Sequence, residues 1–302
     1  MEDNAMVRFD RTHPLFPQKL GVFDERPGQL WYAKGNLAAC NQPAIAIVGT
    51  RRASPTGCSL ARTFARSAAQ RGLTVISGLA LGIDAAAHAG CLEAGGITIA
   101  VLAHGLDRVC PATNARLAER ILAHDGCFVS QYPPQTPSYP NHFIARNKVI
   151  AALADAVLVI EAPLDSGALA TAAHAREFGR PVCAVPGPWD APLYQGSINL
   201  IRQGAFCVRS LEDMVNDIPA LNRASKEKTP RASRDGSQND SSMSAHARAI
   251  YAACETSGTP LSIDRLSGLT TLNPQDASAA ITELILADAV EDLGNGTYRR
   301  KT

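Results

Sequence analysis

Between residues 44 and 218, short continuous apolar runs alternate with longer alanine-rich segments. This alternation narrows the choice of fold more than any other feature of the chain. The runs fall at 44–48, 73–76, 97–102, 127–130, 156–160 and 181–185, with a shorter one at 205–208. They are apolar at consecutive rather than alternate positions, as expected of strands covered on both faces. The segments near 57–71, 84–94, 114–124, 143–154 and 167–178 predict helices. Repeated strand–helix units with buried strands predict an α/β fold, a doubly wound, mostly parallel sheet. Ligands of such sheets bind outside the carboxyl ends of the strands, so the loops leaving those ends are where function is sought.

The flanking segments differ in character. Residues 1–43 are mixed and carry four prolines, and they read as an N-terminal extension packing on the next domain through Leu30, Trp31 and Tyr32. Residues 219–243 hold five basic and three acidic residues among serines, which predicts a flexible linker. Residues 244–302 predict helices near 245–257, 263–268 and 274–287, then a hairpin from Val290 to Arg299 turning at Gly294-Asn295-Gly296. Three helices and a β-ribbon form the winged-helix pattern. This last segment has five basic and seven acidic residues, a net charge of −2 that gives no pull toward a phosphate backbone.

Other classes are disfavoured. No apolar run approaches the roughly 20 residues that cross a bilayer. Met1-Glu2-Asp3-Asn4-Ala5 has neither a basic nor an apolar start, which disfavours a secretory signal and predicts a cytoplasmic protein. None of the eight cysteines forms a C-x-x-C pair, so they are expected to be reduced thiols, not a zinc site or a disulfide framework. Neither a metal nor a cofactor is expected, since no cluster has ligand spacing and the nucleotide-cofactor fingerprints are missing.

The loop after the first apolar run is Gly49-Thr50-Arg51-Arg52-Ala53-Ser54-Pro55-Thr56-Gly57, and a helix follows it. Strand, small-residue turn and helix N-terminus make a place for an anion, because free N–H groups and the helix dipole both favour negative charge there. Gly49 and Gly57 would let the backbone approach a phosphate, Thr50 and Ser54 add hydroxyls, and Arg51 and Arg52 add charge and planar donors. Arg146 and Lys148 stand near the start of a helix, where basic residues are unfavourable without an anion. Phe143 is close enough in sequence to stack on a base. Ser166-Gly167 opens another helix after a strand. Asp84 and His88, at i and i+4, read either as an acid/base pair or as a helix-terminal carboxylate with a packed histidine. His104 reads as a polar loop contact. No nucleophile is positioned by sequence, which favours a binder over an enzyme.

These motifs resemble the DNA-processing protein A (DprA/Smf) family. The resemblance is carried by IAIVGTRRASPTG (45–57), SGLALGIDAAAHAGCLEAGG (77–96), TIAVLAHGLDRVCPATN (98–114), the long segment 143–187 and GSINLIRQGA (196–205). It implies an extended Rossmann fold that binds single-stranded DNA, forms a homodimer and loads the RecA recombinase during natural transformation. It also implies that Arg51 and Lys148 hold DNA phosphates, with Thr50, Arg146, Ser166 and Gly167 lining the same pocket. An alternative is a phosphoribohydrolase-like enzyme that hydrolyses nucleotides with Glu161 or Asp84 as acid/base groups, although its P-G-G-x-G-T-x-x-E motif is missing. A third reading, a duplex-reading regulator, fits poorly because 274–287 carries Asp276 and Glu283 but no Arg or Lys.

Overall fold

The chain enters its main sheet through β1 (Met6–Phe9) and β2 (Trp31–Gly35), an antiparallel pair. Then follow β3 (Ala44–Val48), α1 (Pro55–Gln70), β4 (Thr74–Ser77), α2 (Ile83–Glu93), β5 (Thr98–Leu102), α3 (Ala115–Ala123) and β6 (Cys127–Ser130). The unit continues with α4 (Pro140–Leu153), β7 (Ala156–Val159), α5 (Gly167–Glu177), β8 (Val182–Ala184), α6 (Gln195–Arg202), β9 (Phe206–Cys207), α7 (Leu211–Asp217) and α8 (Pro219–Ala224). The computed structural model describes residues 6–23, 29–224, 244–257, 261–270, 272–286, 289–292 and 296–300.

The nine strands form one sheet in the order β1-β2-β6-β5-β4-β3-β7-β8-β9. Every pairing from β6 to β9 is parallel, and only β1–β2 and β2–β6 are antiparallel. The chain winds outward from β3 through β4 and β5 to β6, then returns to place β7 on the other side of β3. The strand order reverses there, so the loops after β3 and β7 diverge and leave a crevice between them.

The apolar runs are continuous because both faces are covered. Ile45 and Ile47 of β3 pack against Phe64 of α1, Ala87 of α2 and Met214 of α7. Ala44, Ala46 and Val48 of the same strand face Val149 and Leu153 of α4 and Ala172 of α5. At about 25 cal/mol per Å² of apolar surface, this two-sided burial is the main source of stability for the layer.

Two expectations are corrected. Residues 1–43 are more than a packing extension, since β2 pairs with β6 (Tyr32 opposite Ser130) and carries the sheet two strands further. The expected linker starts too early, because Pro219–Ala224 is helical and Leu221 is buried in the same core as α1 and α7. The remainder of that linker, 225–243, lies outside the described residues.

Contact density divides the chain into two units, Met1–Thr229 and Pro230–Thr302. The second contains α9 (Ala245–Ser257), β10 (Leu261–Ser262), α10 (Ile263–Thr270), α11 (Pro274–Leu286), β11 (Val290–Asp292) and β12 (Thr297–Arg300). Its strands form an antiparallel sheet, β10-β12-β11. Ile250, Cys254, Leu266, Ile281 and Leu284 fill its own small core. Residues 293–295, which include two of the three expected turn residues, lie outside the described residues. Among the described residues, no helix is long and apolar enough to cross a membrane.

Candidate functional site

The crevice at the β3–β7 switch point has a volume of about 620 Å³. Gly49 to Arg52 form one wall, Phe143 and Asn147 of α4 a second, and Pro163 to Ala168 a third. Arg51 and Arg52 are exposed, and neither forms an ion pair with a described residue. The Arg51 guanidinium lies 4.7 Å from the centre of the Phe143 ring. That cation–π contact steadies the guanidinium, whose donors have no partner among the described residues. Thr50 is mostly buried, and its hydroxyl accepts the Arg52 N–H at 3.2 Å, which fixes the turn that projects both arginines.

The opening of α1 already has an anion, and it is internal. The Glu161 carboxylate, fully buried just after β7, accepts the Ser54 N–H at 2.9 Å and the Ser54 hydroxyl proton. Tyr194 lies beside it, and burial together with the neighbouring carboxylate pushes the Tyr194 hydroxyl up to about 12. Ser54 in turn caps α1 by accepting the Gly57 N–H at 2.9 Å. A Cβ on Gly57 would lie 2.3 Å from the Glu161 carboxyl, and one on Gly49 would lie 2.5 Å from Ile83 Cγ1. Ser54 and Gly57 are therefore corrected: they hold Glu161 instead of a phosphate, and Gly49 lines the crevice but is glycine because of packing. Gly57→Ala is expected to cost about 1–3 kcal/mol of stability by forcing the carboxylate aside, as measured by chemical denaturation.

Arg146 also differs from its sequence reading. It is 5% exposed and donates to the carbonyls of Gly78 and Val101, the latter at 2.8 Å, so it ties the ends of β4 and β5 together. Its counter-charge is Asp84, whose carboxylate accepts the N–H groups of Gly78 at 3.1 Å and Ala80 at 3.4 Å. Burial pushes the Asp84 carboxyl above its ordinary value, against the pull of the Arg146 charge. The pair forms part of the crevice lining. Nη1 of the guanidinium is taken up by the two carbonyls, so Arg146 shapes the site, while its buried Nε has no hydrogen-bond partner among the described residues.

Lys148 does not reach this crevice. Residues two apart on a helix point in different directions, and Lys148 instead lines a separate hollow with Phe23, Gln131 and His174. Its ammonium stands 5.7 Å from the Phe23 ring and 5.5 Å from the Phe178 ring. Lys148→Ala is expected to cost about 0.5–1 kcal/mol of stability. The same variant should leave the salt dependence of nucleic-acid binding unchanged, which a titration of the variant against the parent would check.

Ser166 and Gly167 are placed as expected, at the start of α5 facing the crevice. The Ser166 oxygen accepts the Ala168 N–H at 3.3 Å, and its own proton has no acceptor among the described residues. Asn147 Nδ2 bonds the Gly167 carbonyl at 3.0 Å, fastening α4 to α5 across the site. Sequence reasoning missed Asn147, Asp165 and Leu193 as lining residues. Asn147 adjoins Arg146 in the motif and could have been found there. Leu193 comes from the loop after β8 and carries no local signal. His88 does not pair with Asp84: its ring bonds the Thr98 hydroxyl at 2.7 Å, and burial lowers its pKa to about 3. His104 is buried and bonds the Gly105 carbonyl at 2.9 Å. Among the described residues, no group of three metal-ligating side chains occurs.

A family model described as DNA recombination-mediator protein A matches residues 8–219. Protein Smf of Escherichia coli K12 is 40% identical over 204 residues, covering 68% of this chain and 54% of that protein. The chain thus spans about half the length of that relative. Among solved structures, DNA processing protein A from Streptococcus pneumoniae superposes with a TM-score of 0.66 at 37% identity, over 70% of this chain and 74% of its own. The protein of that name from Helicobacter pylori superposes with a TM-score of 0.61 at 27% identity, over 71% of this chain and 95% of its own. That structure is described in terms of its single-stranded DNA binding mode.

Proposed function

Because this chain belongs to the DNA recombination-mediator protein A family, we propose that the β3–β7 crevice grips the backbone of single-stranded DNA without cutting it. One observation carries the reading: two exposed arginines without ion-pair partners among the described residues project from the switch-point turn, and one is stacked on an aromatic ring. Arg51 and Arg52 take phosphates as charge-assisted donors. Gly167 and the Ser166 hydroxyl add the helix N-terminus of α5. Phe143 steadies Arg51 and offers its remaining surface to a base. The strand gains little from Asp84, whose charge is matched by Arg146 within the protein.

The arrangement supports a binder over the phosphoribohydrolase alternative. Of the two acid/base candidates, Asp84 is held by the Gly78 and Ala80 N–H groups beside Arg146, and Glu161 is fully buried and already bonded by Ser54. A general acid or base must reach its substrate, and Glu161 is held behind the loop. In this reading the protein works in the cytoplasm, where its eight thiols stay reduced. It acts as a homodimer that shields the incoming strand and passes it to a RecA-type recombinase, and the winged-helix-like second unit contacts protein. The family description as a recombination mediator supports the transfer step.

Anisotropy with labelled oligo-dT and a duplex of equal length tests the proposal. Tighter binding of the single strand, with no free base released from nucleoside monophosphates, is the expected result. Turnover of those monophosphates, abolished by Glu161→Gln, would favour the enzyme instead.

A further inference from the structure

A second groove, of about 530 Å³, runs between α1, α2 and α3 on the other side of the Gly82 turn. Its charged lining is entirely basic: Arg62, Arg116 and Arg120, with no carboxylate among the lining residues. Arg62 is paired with Glu93, which also binds Arg66 at 2.8 Å. Arg116 and Arg120 are exposed, and neither forms an ion pair with a described residue. They stand one turn apart on α3, so their side chains share a face, roughly 5–6 Å apart at Cβ. Two like charges at that spacing repel, which weakens α3 unless an anion lies between them.

This groove adjoins the first site. Gly82 lines the groove, while Thr50 and Arg51 line the crevice. A Cβ on Gly82 would lie 2.4 Å from the Thr50 carbonyl oxygen and 2.8 Å from that of Arg51. The Ile83 N–H bonds the same Thr50 carbonyl at 3.3 Å. The two hollows therefore share one thin wall, which has no side chain at Gly82. Leu81, 45% exposed on that turn, offers an apolar contact to a passing base.

We propose that single-stranded DNA leaving the crevice crosses the Gly82 turn into this groove, where Arg116 and Arg120 hold a second run of phosphates. This rests on the reading of the crevice given above, and it lengthens the track by a site on α3. The charge pattern selects the partner. A polyanion long enough to reach both hollows gains from every arginine, whereas a mononucleotide fills only one.

The test uses the full chain with Arg116→Ala and Arg120→Ala combined, Arg51→Ala alone, and two labelled oligo-dT probes, of about 6 and about 30 nucleotides. The α3 double variant is expected to bind the long probe about tenfold or more weakly. Its long-probe salt slope should be less negative by about 1.4, at roughly 0.7 for each phosphate that is no longer neutralised. Its binding of the short probe should match the parent. Arg51→Ala should weaken both probes. A double variant that binds the long probe like the parent, or loses equally on both probes, overturns the extended track and leaves the crevice standing. If Arg51→Ala is silent as well, the crevice reading falls with it. Both α3 arginines are exposed and removing them relieves a like-charge pair, so thermal unfolding should be no lower than the parent's and exclude misfolding as the cause.

Discussion

Replacing Arg51 and Arg52 together by alanine is expected to weaken oligo-dT binding by about a hundredfold. Hydrogen bonds to charged groups contribute about 1.5–3 kcal/mol each, and 1.4 kcal/mol is a factor of ten. The loss should shrink as salt rises, because each phosphate neutralised releases counterions from the strand. The slope of log K against log salt should become less negative by about 1.4 for two phosphates on a single strand. Both residues are exposed and neither has an ion-pair partner among the described residues, so thermal unfolding of the variant should match the parent. Phe143→Leu is a useful companion, since it keeps the apolar volume and removes the ring that orients Arg51 from 4.7 Å. It should lose part of the affinity and keep the slope, because the charge remains.

The second large effect concerns folding. Arg146→Met is expected to destabilise the protein by about 3–5 kcal/mol, because it leaves a buried carboxylate without its counter-charge. The Gly78 and Val101 carbonyls would lose their donor in the same step. Asp84→Asn added to Arg146→Met should recover part of the loss, since Asn can still accept the Gly78 and Ala80 N–H groups and carries no charge. Urea denaturation of the parent, both single variants and the double variant gives the coupling. Equal, additive losses would mean the pair is not coupled, and Arg146 would then be available to a ligand after all.

The layer architecture was legible because it rests on burial. A strand covered on both faces is mostly apolar along its whole length, and Ala44–Val48 and Ala156–Val159 have no polar residue. The antiparallel strands β1 and β2 were missed for the same reason: Met6–Phe9 at the sheet edge and Trp31–Gly35 beside it are partly exposed and carry no such run. In the site, local signals carried well. Thr50, Arg51, Ser166 and Gly167 line one crevice because each lies at the end of a strand next to the point where strand order reverses.

What failed was the long-range part. Ser54 and Gly57 have the sequence signature of an anion site, but the anion comes from Glu161, more than a hundred residues away in the chain. A helix N-terminus reads the same whether a ligand or the protein supplies the charge. Arg146 and Lys148 looked like one basic pair, yet helical geometry sends Arg146 toward β4 and β5 and Lys148 toward Phe23. That divergence follows from the 3.6-residue period alone and could have been read from the spacing.

A salt titration of the parent protein with oligo-dT decides whether the crevice grips a polyanion. Tight binding in dilute buffer with a log–log slope of about −1.4 or steeper, set by at least Arg51 and Arg52, is the expected result. Binding that ignores salt, or none in dilute buffer, would contradict it.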